Sequence, residues 1–322
     1  SWTSGFMVDV QRYGTTTIIV SGAVAVAGNV FFIQPQVVSV LPTLGTVGTV
    51  VMIAGTGYAA NDNITVTFGT NATIQTAVAS SNGSFSTTFT VDVQQCGTTT
   101  IIVSGAAAVA GNVFFIQPQL VSVLPTLGSV GTVVTIGGTG YAAGETITVA
   151  FGTNATIQTA AASGNGSFST TFIIDVQRYG TTTITASGAA AVAGNVFFIQ
   201  PQMVSVLPAQ GSVGTMITIS GTGYAANDNI TVTFGINATI QTAVTSSYGS
   251  WTASFVVDVQ RYGTTTITAS GAAAVAGNVF FVQPQVVSVS PTQGSVGTVV
   301  TITGTGYAAN DNITVAFGIN AT

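Results

Sequence analysis

The segment GNVFFIQPQ begins at Gly28, Gly111 and Gly194 and returns as GNVFFVQPQ at Gly277, an interval of 83 residues each time. Self-similarity at such a period confines the chain to architectures made from one repeating unit, and that constraint precedes any other reading. With Pro35, Pro118, Pro201 and Pro284 as frame markers, complete copies span 37–119, 120–202 and 203–285. Residues 1–36 form the C-terminal half of a further copy and 286–322 the N-terminal half of another.

Within one copy the runs LVSVLP (from Leu120), TVVTIGG (Thr132), TITVAFG (Thr146), ATIQTAAA (Ala155), SFSTTFIID (Ser167), TTTITASG (Thr181) and NVFFIQP (Asn195) are short and rich in Val, Ile, Thr and Phe. Branched and aromatic side chains of this kind suit a pleated surface, so the runs read as seven strands. Ile147, Val149 and Phe151 alternate with Thr146, Thr148 and Ala150, the period of two that buries one face of a sheet. Pro125 with Gly128, Gly138 with Gly140, and Asn165 with Gly166 supply the turns between them. Seven short strands in one period predict an all-β chain of tandem immunoglobulin-like antiparallel β-sandwiches with an 83-residue repeat. Helix is disfavoured, because Gly, Thr and Val dominate and no segment carries apolar residues at spacings of three and four.

The joint between copies, QPQVVSV and its variants, is too short for a flexible linker. Proline holds its own torsion and biases the preceding Gln toward extended geometry, which predicts a stiff string of sandwiches.

Charge narrows the function classes. The chain has no Lys and no His, only Arg12, Arg178 and Arg261 as cations, and eight acidic residues for a net charge of -5. Neutralising phosphates takes a basic footprint, so nucleic acid is excluded as a partner. Without His or Lys the usual bases and Schiff-base chemistry are missing, and the carboxylates stand singly at repeating positions. The expectation is that the chain is not an enzyme, with no catalytic residue, no cofactor and no metal. The longest apolar stretch, GAAAVAGNVFFI from Gly188, is interrupted by Gly194 and Asn195, so no membrane-spanning helix is expected. The single cysteine, Cys96, replaces the Tyr found at Tyr13, Tyr179 and Tyr262 and can form no internal disulfide. A surface this poor in charge lacks the repulsion that keeps domains apart, and self-association or a sugar coat is expected.

Nine Asn-x-Ser/Thr sequons stand at Asn63, Asn71, Asn82, Asn154, Asn165, Asn229, Asn237, Asn312 and Asn320, candidate acceptors for N-linked glycans whose alternative role is turn hydrogen bonding. Asn61-Asp62-Asn63 recurs as Asn227-Asp228-Asn229 and Asn310-Asp311-Asn312. Calcium needs six or more oxygen ligands and only one carboxylate stands here, so a turn closed by side-chain hydrogen bonds is expected instead. Asp9 with Arg12, Asp175 with Arg178 and Asp258 with Arg261 read as exposed ion pairs.

VVSVSPTQGSVGTVVTITGTGYAANDNITVAFG, from Val286 to Gly318, resembles the opening half of an IPT/TIG immunoglobulin-like domain. RYGTTTITASG from Arg261 resembles the closing hairpin of such repeats in prokaryotic surface proteins. The resemblance implies the sandwich fold and, in this family, receptor stalks, enzyme appendages or DNA binding; the charge balance removes the last.

Ser1-Trp2-Thr3 aligns with Ser250-Trp251-Thr252, and Asn320-Ala321-Thr322 with Asn237-Ala238-Thr239, leaving the chain ten residues short of four periods. A half-sandwich cannot bury its apolar face alone. Two readings stay open: the chain is a window on a longer covalent array, or successive subunits complete each other head to tail, with Phe6, Ile18 and Phe32 sharing a core with Val299, Ile302 and Phe317. The expected function is a structural subunit of an extracellular fibre or surface coat, such as a surface layer, whose partners are copies of itself in a linear homopolymer. The alternative is an adhesin or receptor stalk presenting a binding head. Either places the chain outside the cell or at its surface.

Overall fold

Val, Ile, Thr and Phe in period-two runs form strands throughout: all regular structure in the computed structural model, which describes residues 1–189, 191–318 and 320–321, is β. The chain divides into two units. The first comprises Ser1–Leu124, Thr135–Thr171 and Ile184–Asn195, and the second Pro125–Val134, Phe172–Thr183 and Val196–Thr322.

The first unit opens with a hairpin of β1 (Gly14–Ser21) and β2 (Val26–Ile33), paired from Gly14↔Ile33 to Ser21↔Val26. A complete sandwich follows, built from β3 (Gln36–Leu41), β4 (Leu44–Gly45), β5 (Val50–Thr56), β6 (Asn63–Phe68), β7 (Asn71–Val78), β8 (Phe85–Thr90), β9 (Gly97–Ser104) and β10 (Val109–Ile116). One sheet runs β3-β5-β8 and the other β4-β10-β9-β6-β7. The seven strands expected from sequence are thus joined by an eighth, β4, which lies parallel to the end of β10 through Leu44↔Phe115 and Gly45↔Ile116. Two residues are too short for a period to register in the sequence.

The alternation does what the sequence pattern requires. Ile64, Val66 and Phe68 of β6 are fully buried, facing Val51 and Ile53 of β5 within one core cluster. Phe68 meets Phe114 edge-on at 5.8 Å and Phe89 at 5.1 Å. Tyr58, completely buried, stacks edge-on to Phe85 and donates its hydroxyl hydrogen to the Val103 carbonyl at 3.3 Å. Gly55 has no side chain because a Cβ there would press on the Phe85 ring and the Gln36 carbonyl.

The second unit contains an equivalent sandwich, with Gln202–Leu207, Met216–Thr222 and Trp251–Val256 in one sheet. Gln210–Gly211, Val275–Val282, Gly263–Ser270, Asn229–Phe234 and Asn237–Val244 make the other, in that order. Tyr224 repeats the buried hydroxyl contact, donating to Ala269 at 3.1 Å. In the copy between them the same pairings recur: Gln119–Leu124 with residues 135–139, and Thr146–Phe151 with Asn154–Ala161, in the first unit. Leu127–Gly128 lies parallel to the end of Val192–Ile199 in the second.

Unpaired strand edges invite another chain, and proteins usually blunt them with Lys or Pro. Here side-chain amides serve. On edge strand β7 the Gln75 side-chain oxygen accepts from the Thr76 backbone N–H at 2.9 Å while its amide donates to Thr88 of the other sheet at 2.6 Å. On the open side of β10 the Asn112 oxygen accepts from Val113 N–H at 2.8 Å. Gln241 and Asn278 repeat both devices in the second unit.

Burial pushes the hydroxyls of Tyr58, Tyr141 and Tyr224 up to about 12, the Glu145 carboxylate adding to the effect at Tyr141. An unfolded tyrosine titrates near 10, so this contribution is complete below pH 10 and is lost as pH rises through about 12. Each complete sandwich should lose roughly 3 kcal/mol across that window. With eight carboxylates and no His, the acid limb should be nearly flat. Chemical denaturation monitored by circular dichroism from pH 2 to 12 checks both limbs. Tyr224→Phe should cost about 1 kcal/mol at neutral pH and flatten the alkaline loss of its own sandwich.

Candidate functional site at the joint between copies

The QPQ segment is where one copy hands over to the next, and both sides grip it. The Gln117 backbone N–H donates to the Gly45 carbonyl at 2.8 Å, and the Gln119 side chain donates to Val47 at 2.9 Å, both within the preceding copy. Gln283 with Gly211 and Gln285 with Val213 repeat these contacts at 2.8 and 2.9 Å. From the following copy a glycine closes onto the segment. Gly57, at φ +82°, sits so close to the Gln34 carbonyl and the Pro35 Cα that a Cβ would collide with both. Gly140, Gly223 and Gly306 stand in the same relation to Gln117, Gln200 and Gln283.

The tyrosine after each of these glycines completes the joint. The Tyr58 carbonyl accepts from Tyr13 N–H at 3.0 Å, the Tyr141 carbonyl from Cys96 at 3.4 Å, the Tyr224 carbonyl from Tyr179 at 3.0 Å and the Tyr307 carbonyl from Tyr262 at 3.4 Å. Each bond runs from one copy to its successor. The donor's ring is used as well: Tyr13 packs on the core of the following sandwich, as does Tyr179. Tyr13 also meets Phe32 edge-on at 5.2 Å, a pair repeated by Tyr179 with Phe198 and Tyr262 with Phe281. At the second joint Cys96 offers no ring to Phe115. The Gln95 side chain instead donates to the Gly164 carbonyl at 3.1 Å. Burial pushes the Cys96 thiol above its ordinary value, with the Glu145 carboxylate adding to the shift.

The Asp of the Asn-Asp-Asn motif anchors a loop of its own sandwich. Asp62 accepts from Ala106 N–H at 2.9 and 3.2 Å, and Asp228 from Ala272 at 2.9 Å. The copy that has Gly144-Glu145 keeps the anchor, Glu145 accepting from Ala189 at 2.9 Å and from Ala142 at 2.8 Å. The preceding residue takes positive φ whether it is Asn61 or Gly144, which is why those two residues interchange. Among the described residues no three His, Cys, Asp or Glu side chains gather as metal ligands, and no helix is long and apolar enough to cross a membrane. The carboxylates read as ion-pair partners serve amides: Asp9 accepts from Gln11 at 2.6 Å and Asp258 from Gln260 at 2.8 Å.

The sequons separate into kinds. Asn63, Asn229 and Asn312 are exposed, as are Asn82 and Asn165 in tight turns where their side-chain oxygens accept from flanking serines. Asn71, Asn154 and Asn237 are half-buried, and the Asn71 and Asn237 amides donate to Asp92 and Asp258 at 3.1 Å. The side chain of Asn320 lies outside the described residues.

Phe6, Ile18 and Phe32 lie in the first unit and Val299, Ile302 and Phe317 in the second, where Phe317 is 84% exposed. In complete copies the counterparts of Phe6, Ile18, Ile302 and Phe317 are the buried Phe255, Ile267, Ile219 and Phe234. The counterparts of Phe32 and Val299 point outward, as Phe115 and Met216 do. Their inward neighbours are Phe31 and Val300, whose counterparts Phe280 and Ile217 are buried. In runs such as VFFI and TVVT adjacent positions are both apolar, so composition does not tell which one faces the core.

A two-sheet sandwich with a closed tyrosine core, repeated about every 83 residues, defines a tandem-repeat protein of the immunoglobulin fold. More particularly, residues 201–281 and 284–322 match the IPT/TIG domain family. No curated protein matches the chain. Among solved structures it is similar to a tetra-tandem repeat in the extending region of a large adhesion protein, with 17% identity over 84% of this chain and 82% of that one and a TM-score of 0.26. It is similar to invasin, a bacterial integrin-binding protein, with 13% identity over 80% and 62% and a TM-score of 0.27. For the N-terminal eight immunoglobulin domains of Down Syndrome Cell Adhesion Molecule the identity is 14%, the TM-score 0.23 and the coverage 92% of this chain, which spans 49% of that structure.

Restoring the missing ring tests the joint. Cys96→Tyr should pair edge-on with Phe115 and raise stability by about 0.5–1.5 kcal/mol, measured as an upward shift in the denaturation midpoint.

Proposed function

We propose that the chain is a stretch of a structural array, a fibre or coat built outside the cell or at its surface from rigid immunoglobulin-like repeats. The observation that carries the reading is the joint: all four tyrosine carbonyls accept a backbone hydrogen bond from the preceding copy, and four glycines leave no room for a side chain against the QPQ segment. A connection held by backbone on both sides transmits bending and tension, which load-bearing repeats need and a flexible tether does not. An adhesin or receptor stalk is the second reading and uses the same joint.

The half-sandwiches at 1–36 and 286–322 are completed in this proposal by their missing halves, supplied by more of the same polypeptide or by a second copy head to tail. The internal register says how: Phe68↔Ile101 and Thr65↔Ser104 become Phe317↔Ile18 and Thr314↔Ser21. Phe6, Phe31, Val300 and Ile302 would then share that core. N-linked glycans belong on the exposed Asn63, Asn82, Asn165, Asn229 and Asn312 in preference to the half-buried Asn71, Asn154 and Asn237.

Electron microscopy of native material should show unbranched strings of beads with one axial step and narrow bend angles at every joint. Beads that pivot freely would refute the reading. The mass of the denatured subunit separates non-covalent completion, which gives one chain, from a longer covalent array. Glycopeptide mapping orders the asparagines.

A further inference from the structure

The strands of the five-stranded sheet carry no charged residue in any complete copy. Their outer face presents Val109, Val113 and Phe115 at 62, 51 and 45% exposure, interleaved with Thr98 and Thr100. The same Val, Val and Phe recur at these positions in all four copies that reach this strand, including those where Ile102 is replaced by Thr. The Phe serves the joint tyrosine where one is present, but nothing in the fold demands the two Val, since an outward position on a solvated sheet takes polar residues without cost.

We propose that this face is a docking surface for a second copy of the chain, by which arrays pack side by side. Three features select that occupant. Every complete copy carries the same face, so any copy of one chain can meet any copy of another. An uncharged face of Thr and Val neither repels its own likeness nor attracts an ionic partner. On the two sides of this sheet Gln75 and Asn112 each occupy an edge N–H, which disfavours strand addition there and leaves the face as the surface for association.

Area sets the scale. Four long strands about 4.8 Å apart and some seven residues long at about 3.4 Å per residue give a face of roughly 500 Å². That falls short of the roughly 800 Å² per partner of a stable interface, while two faces exceed it. One face meeting one face is therefore a weak contact whose extent rises with concentration. The inference rests on the sheet surface and holds equally for a fibre and for a stalk that bundles.

Sedimentation velocity on the full chain over a concentration series tests it. The unsubstituted protein should associate as concentration rises. The triple substitution Val113→Lys, Val196→Lys, Val279→Lys should lower the weight-average mass at least two-fold at the highest concentration, and the milder Val→Thr triple at the same positions should act in the same direction. Leu41→Lys, Leu124→Lys, Leu207→Lys, on exposed positions of the other sheet, should leave association in place. Circular dichroism identifies which variants are folded, and the Thr triple decides if the Lys triple is not. A monomeric unsubstituted chain, undiminished association in a folded face variant, or equal loss in the Leu triple overturns the proposal.

Discussion

One tyrosine per copy holds two structures together at once. The Tyr58 hydroxyl reaches across the core to Val103, and its carbonyl receives the N–H of Tyr13 from the preceding copy. The first contact orients a fully buried ring, and a buried phenol without a partner would cost on the order of 1–3 kcal/mol. The second makes the same backbone segment part of the joint. Disturbing the core therefore moves the joint. The glycine before the tyrosine is bound to the same logic, because its positive φ and lack of a Cβ let the chain pass against the QPQ segment. The proposed stiffness between copies would thereby be inherited from core packing within them.

Much of this was legible in the sequence, and the limits are physical. The period and the two-sheet sandwich followed from GNVFFIQPQ and from alternation in TITVAFG, since burial of one sheet face leaves a direct trace in polarity. A stiff joint was expected from QPQ, but the glycine and tyrosine contacts around it were not. Gly57-Tyr58 looks like an ordinary turn, and the signal that could have found it is the recurrence of GTGY in all four copies where turn residues elsewhere vary. The inward choice between Phe31 and Phe32, or Val299 and Val300, was lost where both neighbours are apolar. A two-residue strand such as Leu44–Gly45 has no period to detect.

The carboxylate of the Asn-Asp-Asn motif shows why a motif's chemistry is decided by what it touches. Asp62 points both oxygens at one backbone N–H of a distant loop, leaving no room in its role for an ion. Glu145 does the same work in the copy that lost the Asn and Asp, its longer side chain reaching both Ala142 and Ala189. A cation site would not survive that exchange of length, because ligand geometry is strict, whereas a loop anchor needs only an oxygen within reach.

Scarcity of charge has to be compatible with solubility and with closed sheet edges, and amide side chains make it so. Gln75 and Asn112 satisfy edge N–H groups that Lys would otherwise guard by repulsion. They do so without adding field, so the sheet faces remain free to approach other uncharged faces. Edge pairing can extend a sheet from chain to chain toward cross-β aggregation, whereas contact between sandwich faces does not extend a sheet. A chain that closes its edges with amides and leaves Val and Thr on its faces has exchanged general repulsion for a choice of geometry.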